Sequence, residues 1–258
     1  MKTKIIKTQA KEIYTKTKLP GSDYVINQYA GCGHACSYCY ARFISRWKGH
    51  GNWGTWIEAK MNAPELVKNK YVPGCVFMSS ISDAYQPIEK DLKLTRRVLE
   101  NMDKNINLSI LTKSDMVLRD VDLLKQFKNV EIGFTLNSFK DKEKELFEPN
   151  SPTFEQRVSA LKKLQKIGIK TYAFVSPIIP GLIDLDEVIN EVKNHVDYFW
   201  FEVINIRGAG KEFDRLLSKK YSESYKIVKN KELFAEFIKD LQNKVKSHKV
   251  KTKGVELH

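Results

Sequence analysis

Cysteine is scarce in this chain of 258 residues, with only four present. Cys32, Cys36 and Cys39 crowd into one short stretch and Cys75 stands alone, which excludes the dispersed, even set of a secreted disulfide framework. Long apolar runs are missing too, and none approaches the roughly 20 residues that a membrane-spanning helix needs. The stretch MKTKIIKTQAKEIYTKTK is rich in lysine and lacks the apolar core and cleavage site of a secretory signal, so a cytoplasmic protein with no membrane partner is expected. Proline and glycine number 8 and 13 and nowhere gather with serine into a linker, so one domain over residues 1–258 is expected. With 42% hydrophobic residues, a chain of this length can bury one sizeable core.

Acidic side chains are also in deficit, 31 against 44 Lys and Arg, for a formal charge of +13. Such a field attracts polyanions and makes nucleic acid a candidate partner, although lysines spread along a solvated surface produce the same composition. The clearest concentrations lie at the two ends, at residues 2–18 and 211–253.

Short β-branched and aromatic runs recur at residues 24–27, 75–78, 108–111, 130–134, 170–175 and 198–203. Between them the spacing predicts helices over Leu92–Met102, Val117–Phe127, Phe154–Ile167, capped by Thr153 and stopped by Gly168, and Asp186–Val196. Six strands alternating with helices imply a parallel sheet two units short of a closed TIM barrel. A partial (β/α)6 TIM-type barrel over about 22–210 is therefore expected, followed by a helical extension over about 211–258. Leu233, Phe234, Phe237, Ile238 and Leu241 form the apolar stripe of that extension. Catalytic residues belong at the carboxyl ends of the strands. Gly49–Trp56, GHGNWGTW, reads as a loop.

The cysteines of GCGHACSYCYAR, Gly31–Arg42, fall just beyond the first of these strands. Structural zinc needs four ligands and would have to recruit His34, His50 or the distant Cys75. A cubane iron-sulfur cluster needs only three thiolates and leaves its fourth iron open to a ligand that is not protein.

The spacing Cys32-x3-Cys36-x2-Cys39, with Tyr38 before the third cysteine, resembles the signature of the radical S-adenosylmethionine superfamily. Further segments resemble its spore photoproduct lyase-like branch: SSISDAYQPIEKDLKLTRR at Ser79–Arg97, LTKSDMVLRDVDLL at Leu111–Leu124, FEPNSPTFEQRVSALKKL at Phe147–Leu164 and VSPIIPGL at Val175–Leu182. The resemblance implies one 4Fe-4S cluster on Cys32, Cys36 and Cys39. It implies S-adenosylmethionine as second cofactor, cleaved reductively to a 5'-deoxyadenosyl radical that abstracts hydrogen from substrate. An electron donor such as flavodoxin or ferredoxin is implied as partner. No further CxxC pair beyond Cys36 and Cys39 announces an auxiliary cluster.

By the same resemblance, Ser80, Ser82 and Asp83 stand where many members carry Gly-Gly-Glu and are expected to hold the methionine end of the cofactor. Lys113 would pair its carboxylate, Thr135 and Asn137 would bond the ribose, and Ser176 would lie near the adenine. Tyr38 and Tyr40 match tyrosines that relay hydrogen in the lyases. Tyr38, Tyr40, Phe43 and Trp47, with the GNWGTW loop, are expected to wall water from the site, and Glu148 and Arg157 to pair structurally. The sequence departs from true lyases at Phe77-Met78-Ser79-Ser80, where no cysteine ends the second strand, and Cys75 lies at that strand's start. The expected activity is a lyase-like radical enzyme with a nucleic-acid or nucleotide substrate. The alternatives are a radical enzyme acting on a peptide, protein or small metabolite, and a zinc-stabilised nucleic-acid-binding protein.

Overall fold

Runs rich in β-branched and aromatic residues pair readily as parallel strands when helices cover them, and that rule builds the main sheet of this chain. The computed structural model describes residues 3–257. Its strands are β1 (Lys4–Thr8), β2 (Tyr14–Lys16), β3 (Tyr24–Ile26), β4 (Tyr29–Ala30), β5 (Trp56–Lys60), β6 (Cys75–Met78), β7 (Asn107–Thr112), β8 (Asn129–Leu136), β9 (Lys170–Ile178), β10 (Tyr198–Val203) and β11 (Thr252–Glu256). The main sheet runs β11-β10-β9-β8-β7-β6-β3-β2, parallel from β11 to β3, with β2 antiparallel at the edge. A small sheet, β1-β5-β4, carries the amino-terminal residues. All six expected strands are present, and the open parallel sheet with its helices is the expected partial barrel.

One face of each strand from β6 to β10 is buried under helices. Val76, Met78, Leu108, Ile110, Ile132, Phe134, Ala173, Val175, Phe199 and Phe201 meet Leu94, Val98, Leu161, Leu164, Val188 and Ile189 in one core. Helix Phe154–Lys166 starts as expected: the Thr153 hydroxyl accepts from Gln156 N, and the Gln156 side chain accepts from Thr153 N in return.

Three expectations need correction. The helix expected over Leu92–Met102 is two, Glu89–Leu92 and Leu94–Asn101, parted where Lys93 takes a left-handed φ of 47°. Val117–Phe127 is a 3-10 turn over Asp115–Asp120 followed by the single turn Val121–Leu124. There the Asp120 carboxylate is buried and held by Arg96 at 3.0 Å and Arg119 at 2.7 Å, a tertiary demand that outweighs helical spacing. The tail beyond Gly210 is not wholly helical. Helices Ile206–Lys220, Ser222–Lys229 and Lys231–Ser247 bury Ile238 and Leu241 as the stripe predicts, but the chain then returns as β11 on the free edge of β10. That edge offers unpaired backbone groups, and pairing satisfies them whatever the side chains.

Candidate active site

The cysteine loop leaves β4 through two left-handed residues, Gly31 (φ 80°) and Ala35 (φ 56°). A Cβ at Gly31 would stand 2.6 Å from the Trp56 carbonyl oxygen, so only glycine fits. Polar side chains then pin the loop. Gln86 Oε1 accepts from Gly33 N at 2.7 Å, its Nε2 donates to Gly31 O at 3.2 Å, and Asn150 Nδ2 donates to Gly33 O at 2.9 Å. Gln86 and Asn150 went unnoticed in the sequence, where single amides give no signal of what they will hold.

Cys32 and Cys36 are buried, Cys39 is half-buried, and all three are free thiols lining one cavity of about 410 Å³. Burial pushes each thiol pKa up, Cys36 to about 12, because a thiolate there would lose its hydration. Bound iron would supply the missing positive charge. His50 is occupied elsewhere, its Nε2 2.7 Å from Glu58 Oε1, and Cys75 does not line the cavity. Burial pushes His34 down to about 4, leaving it neutral. Among the described residues no three His, Cys, Asp or Glu side chains converge on a point that could hold a single ion. Three separated thiols in a shared cavity suit a cluster with one open corner.

The cavity is lined by alternate residues of the strands: Ser109, Leu111 and Lys113 from β7 and its end, Glu131 and Thr135 from β8, Tyr172, Phe174 and Ser176 from β9, and Tyr198, Trp200 and Glu202 from β10. Of the expected site residues, Tyr38, Tyr40, Ser80, Ser82, Asp83, Lys113, Thr135 and Ser176 share this lining with the cysteines. Asp83 accepts from Thr112 Oγ1 at 2.7 Å, Tyr85 N at 2.8 Å and Lys113 N at 2.9 Å. Ser80 Oγ accepts from Asn27 at 3.1 Å, whereas the buried Ser82 Oγ has no partner. Lys113 stays cationic: burial alone would lower its pKa, but Cys36 and Glu148 more than offset that. Asn137 lies behind the lining, its Nδ2 donating to Glu148 at 2.9 Å and to Ser176 O at 3.3 Å.

Glu148 and Arg157 form the expected pair, fully buried, and Glu148 also accepts from Tyr38 and from Ser151 Oγ at 2.9 Å. Tyr40 donates to the Ser80 carbonyl, tying the cysteine loop to the end of β6. Of the expected aromatic wall, Tyr38, Tyr40 and Trp53 of the GNWGTW loop line the cavity, and Phe43 and Trp47 do not. Trp47 is 79% exposed and Phe43 39%, packed edge-to-face on each other at 5.0 Å, and neither lines the cavity. The short turn that follows the cysteines presents them outward.

Further aromatic surface comes from β9 and β10. Tyr172 lies across Gly133, where a Cβ would stand 2.1 Å from the ring, and stacks on Tyr198 at 5.0 Å. Trp200 meets Phe174 edge-on at 5.6 Å, and Lys253 of β11 sets its ammonium 4.5 Å from the Tyr198 ring and 5.5 Å from Trp200.

The Radical SAM superfamily profile matches residues 26–208, which span this loop and every strand from β4 to β10. The chain belongs to the radical SAM superfamily. It is an enzyme of the radical SAM type, and that superfamily implies a 4Fe-4S cluster and S-adenosylmethionine, which the three free thiols of the cavity fit. A protein of Methanocaldococcus jannaschii, described only as uncharacterized, is 50% identical over 257 residues, 100% of this chain and 99% of its own. A radical SAM Nalpha-GlyT isomerase of Pseudomonas phage M6 is 24% identical, over 62% of this chain and 34% of its own. Spore photoproduct lyase complexed with dinucleoside spore photoproduct has the same fold at a TM-score of 0.61 and 20% identity, over 84% of this chain. The matched region spans 66% of the lyase chain. No helix among the described residues is long and apolar enough to cross a membrane.

Proposed function

We propose that this radical SAM enzyme holds one 4Fe-4S cluster on Cys32, Cys36 and Cys39, and acts by hydrogen abstraction on a nucleic acid or nucleotide. One observation carries the proposal: the three thiols of a single loop share one cavity with Lys113, Ser80, Ser82, Thr135 and Ser176. When bound, the reduced cluster supplies the electron that cleaves S-adenosylmethionine to a 5'-deoxyadenosyl radical, with flavodoxin or ferredoxin as the donor class.

The chain's own residues have distinct tasks. Lys113, a half-buried cation, pairs the cofactor carboxylate, while Ser80, the unpartnered Ser82 hydroxyl and Asp83 receive its ammonium. Thr135 and Ser176 face the nucleoside part, and Asn137 acts behind them by holding Glu148 and the Ser176 carbonyl. Tyr38 and Tyr40 are phenols, protonated at neutral pH, so each has the O–H that a hydrogen relay requires, and desolvation pushes the Tyr38 pKa further up. Tyr38 presents it to Glu148 and Tyr40 to the Ser80 carbonyl. With Met78 and Ser79 ending β6, the hydrogen returned to product does not come from a thiol at that point.

The substrate reading rests on Trp200 and Phe174 as stacking surfaces and Lys253 as a cation beside them. Stacking of a base on an aromatic side chain contributes about 1–3 kcal/mol, and the charge of +13 favours a polyanion. The test is anaerobic turnover with S-adenosylmethionine, with and without single-stranded oligonucleotide or oligonucleotide containing spore photoproduct. Deuterium moving from a labelled oligonucleotide into 5'-deoxyadenosine, and lost in Trp200→Ala, is the expected result. Cleavage indifferent to every nucleic acid but stimulated by a peptide or metabolite would contradict the substrate class.

A further inference from the structure

The loop between the cysteine segment and β5 carries an indole, Trp53, whose ring helps wall the cavity but whose N–H has no task so far. Gly54 seats that loop: its φ is 85°, and a Cβ there would stand 2.5 Å from the Ala35 Cβ, so the backbone lies directly on the cysteine loop. Trp53 and Cys39 pack against the same small core of Ala30, Ala41, Ile44 and Trp56, and both line the cavity. The two indoles are treated differently. Trp56 Nε1 donates to Gly51 O at 3.2 Å and Ser45 Oγ at 3.3 Å, whereas Trp53 Nε1 is buried and donates to nothing.

An indole nitrogen is a donor only, so its burial is favourable only where an acceptor arrives. Protonated thiols are weak acceptors, but the sulfurs of an iron-sulfur cluster carry negative charge and accept readily. We propose that Trp53 Nε1–H donates a hydrogen bond to a sulfur of the cluster held by Cys32, Cys36 and Cys39 and thereby raises the cluster's reduction potential. This rests on the cluster assignment proposed above. Reduction adds negative charge to the sulfurs, so a fixed donor stabilises the reduced form more than the oxidised one. Trp53 is thus a tuning residue that keeps a low-potential cluster within reach of its electron donor.

Trp53→Phe removes the donor and keeps a ring in place. Redox titration of the reconstituted protein without S-adenosylmethionine, followed by electron paramagnetic resonance, is expected to shift the one-electron equilibrium about tenfold against reduction. That is about 59 mV more negative. Trp53→His, which keeps a ring N–H, is expected to recover part of the shift. Thermal melts supply a second readout: the substitution is expected to be neutral or stabilising without iron and destabilising with it. An unchanged potential in iron-replete Trp53→Phe would overturn the proposal alone. So would weakened S-adenosylmethionine binding at an unchanged potential, since the donor would then serve that ligand. Wild-type protein that takes up no iron would overturn the cluster assignment as well.

Discussion

Replacing Arg157 by methionine strands a carboxylate. Arg157 and Glu148 are 1% and 0% exposed, and the guanidinium also donates to Ser151 Oγ at 2.8 Å, Pro152 O at 2.8 Å and Thr135 O at 3.1 Å. With the cation gone, Glu148 keeps Tyr38, Asn137 and Ser151 as donors but no positive charge in contact. Breaking a buried pair from one side costs about 3–5 kcal/mol. For a chain of this size that lowers Tm by roughly 6–20 °C, at about 2–4 °C per kcal/mol. Glu148→Gln on the same background removes the stranded charge, so the double variant is expected to be more stable than Arg157→Met alone. Urea denaturation of wild type, both single variants and the double variant measures the coupling. Since Glu148 also holds Tyr38 of the cysteine loop, iron uptake is expected to fall with stability in Arg157→Met. A cost under about 1 kcal/mol, or strictly additive single effects, would refute the pair as the anchor of that loop.

The Glu58 carboxylate, 2.7 Å from both Lys48 Nζ and His50 Nε2, has its pKa raised by burial but lowered further by these two partners. Its folded pKa thus lies below the unfolded value of about 4.3. The stabilisation it provides is therefore present above that pH and lost as pH falls through the folded pKa. The stability gap between wild type and Glu58→Gln is expected to close in acid denaturation series, and a gap constant between pH 6 and 3 would contradict this. Gly133→Ala places a methyl 2.1 Å from the Tyr172 ring, so loss of about 1–3 kcal/mol and an altered near-UV circular dichroism spectrum are expected. A variant with wild-type stability and spectrum would show that the ring does not lie there. Anaerobic reconstitution is expected to load about four irons per chain, as one cubane requires, and to lose activity in air. Iron near eight would reveal a second cluster.

The barrel was legible because β-branched runs and amphipathic spacing agree over most of its length, as in Phe154–Lys166 with its Thr153 cap. The cysteine spacing was legible because three thiols so close together serve few chemistries. The aromatic lining that β9 and β10 contribute was not. In β9 and β10 both alternating sets are apolar, Tyr172 and Phe174 against Ala173 and Val175, Tyr198 and Trp200 against Phe199 and Phe201. Periodicity separates two such faces without saying which one looks inward. β11 was hidden for another reason: Thr-Lys-Gly-Val-Glu has little strand preference of its own, and tertiary pairing with β10 creates it. The bond from Tyr38 to Glu148 joins residues 110 apart, so the structural role expected for Glu148 extended unseen to the cysteine loop.

The most direct test is 5'-deoxyadenosine formation from S-adenosylmethionine by anaerobically reconstituted, reduced protein, compared with Cys32→Ala, Cys36→Ala and Cys39→Ala. The arrangement of thiols predicts cleavage in the wild type and none in any of the three variants, with Cys75→Ala unaffected. Cleavage that survives loss of one of the three, or that depends on Cys75, would contradict the assignment of the cluster to this loop.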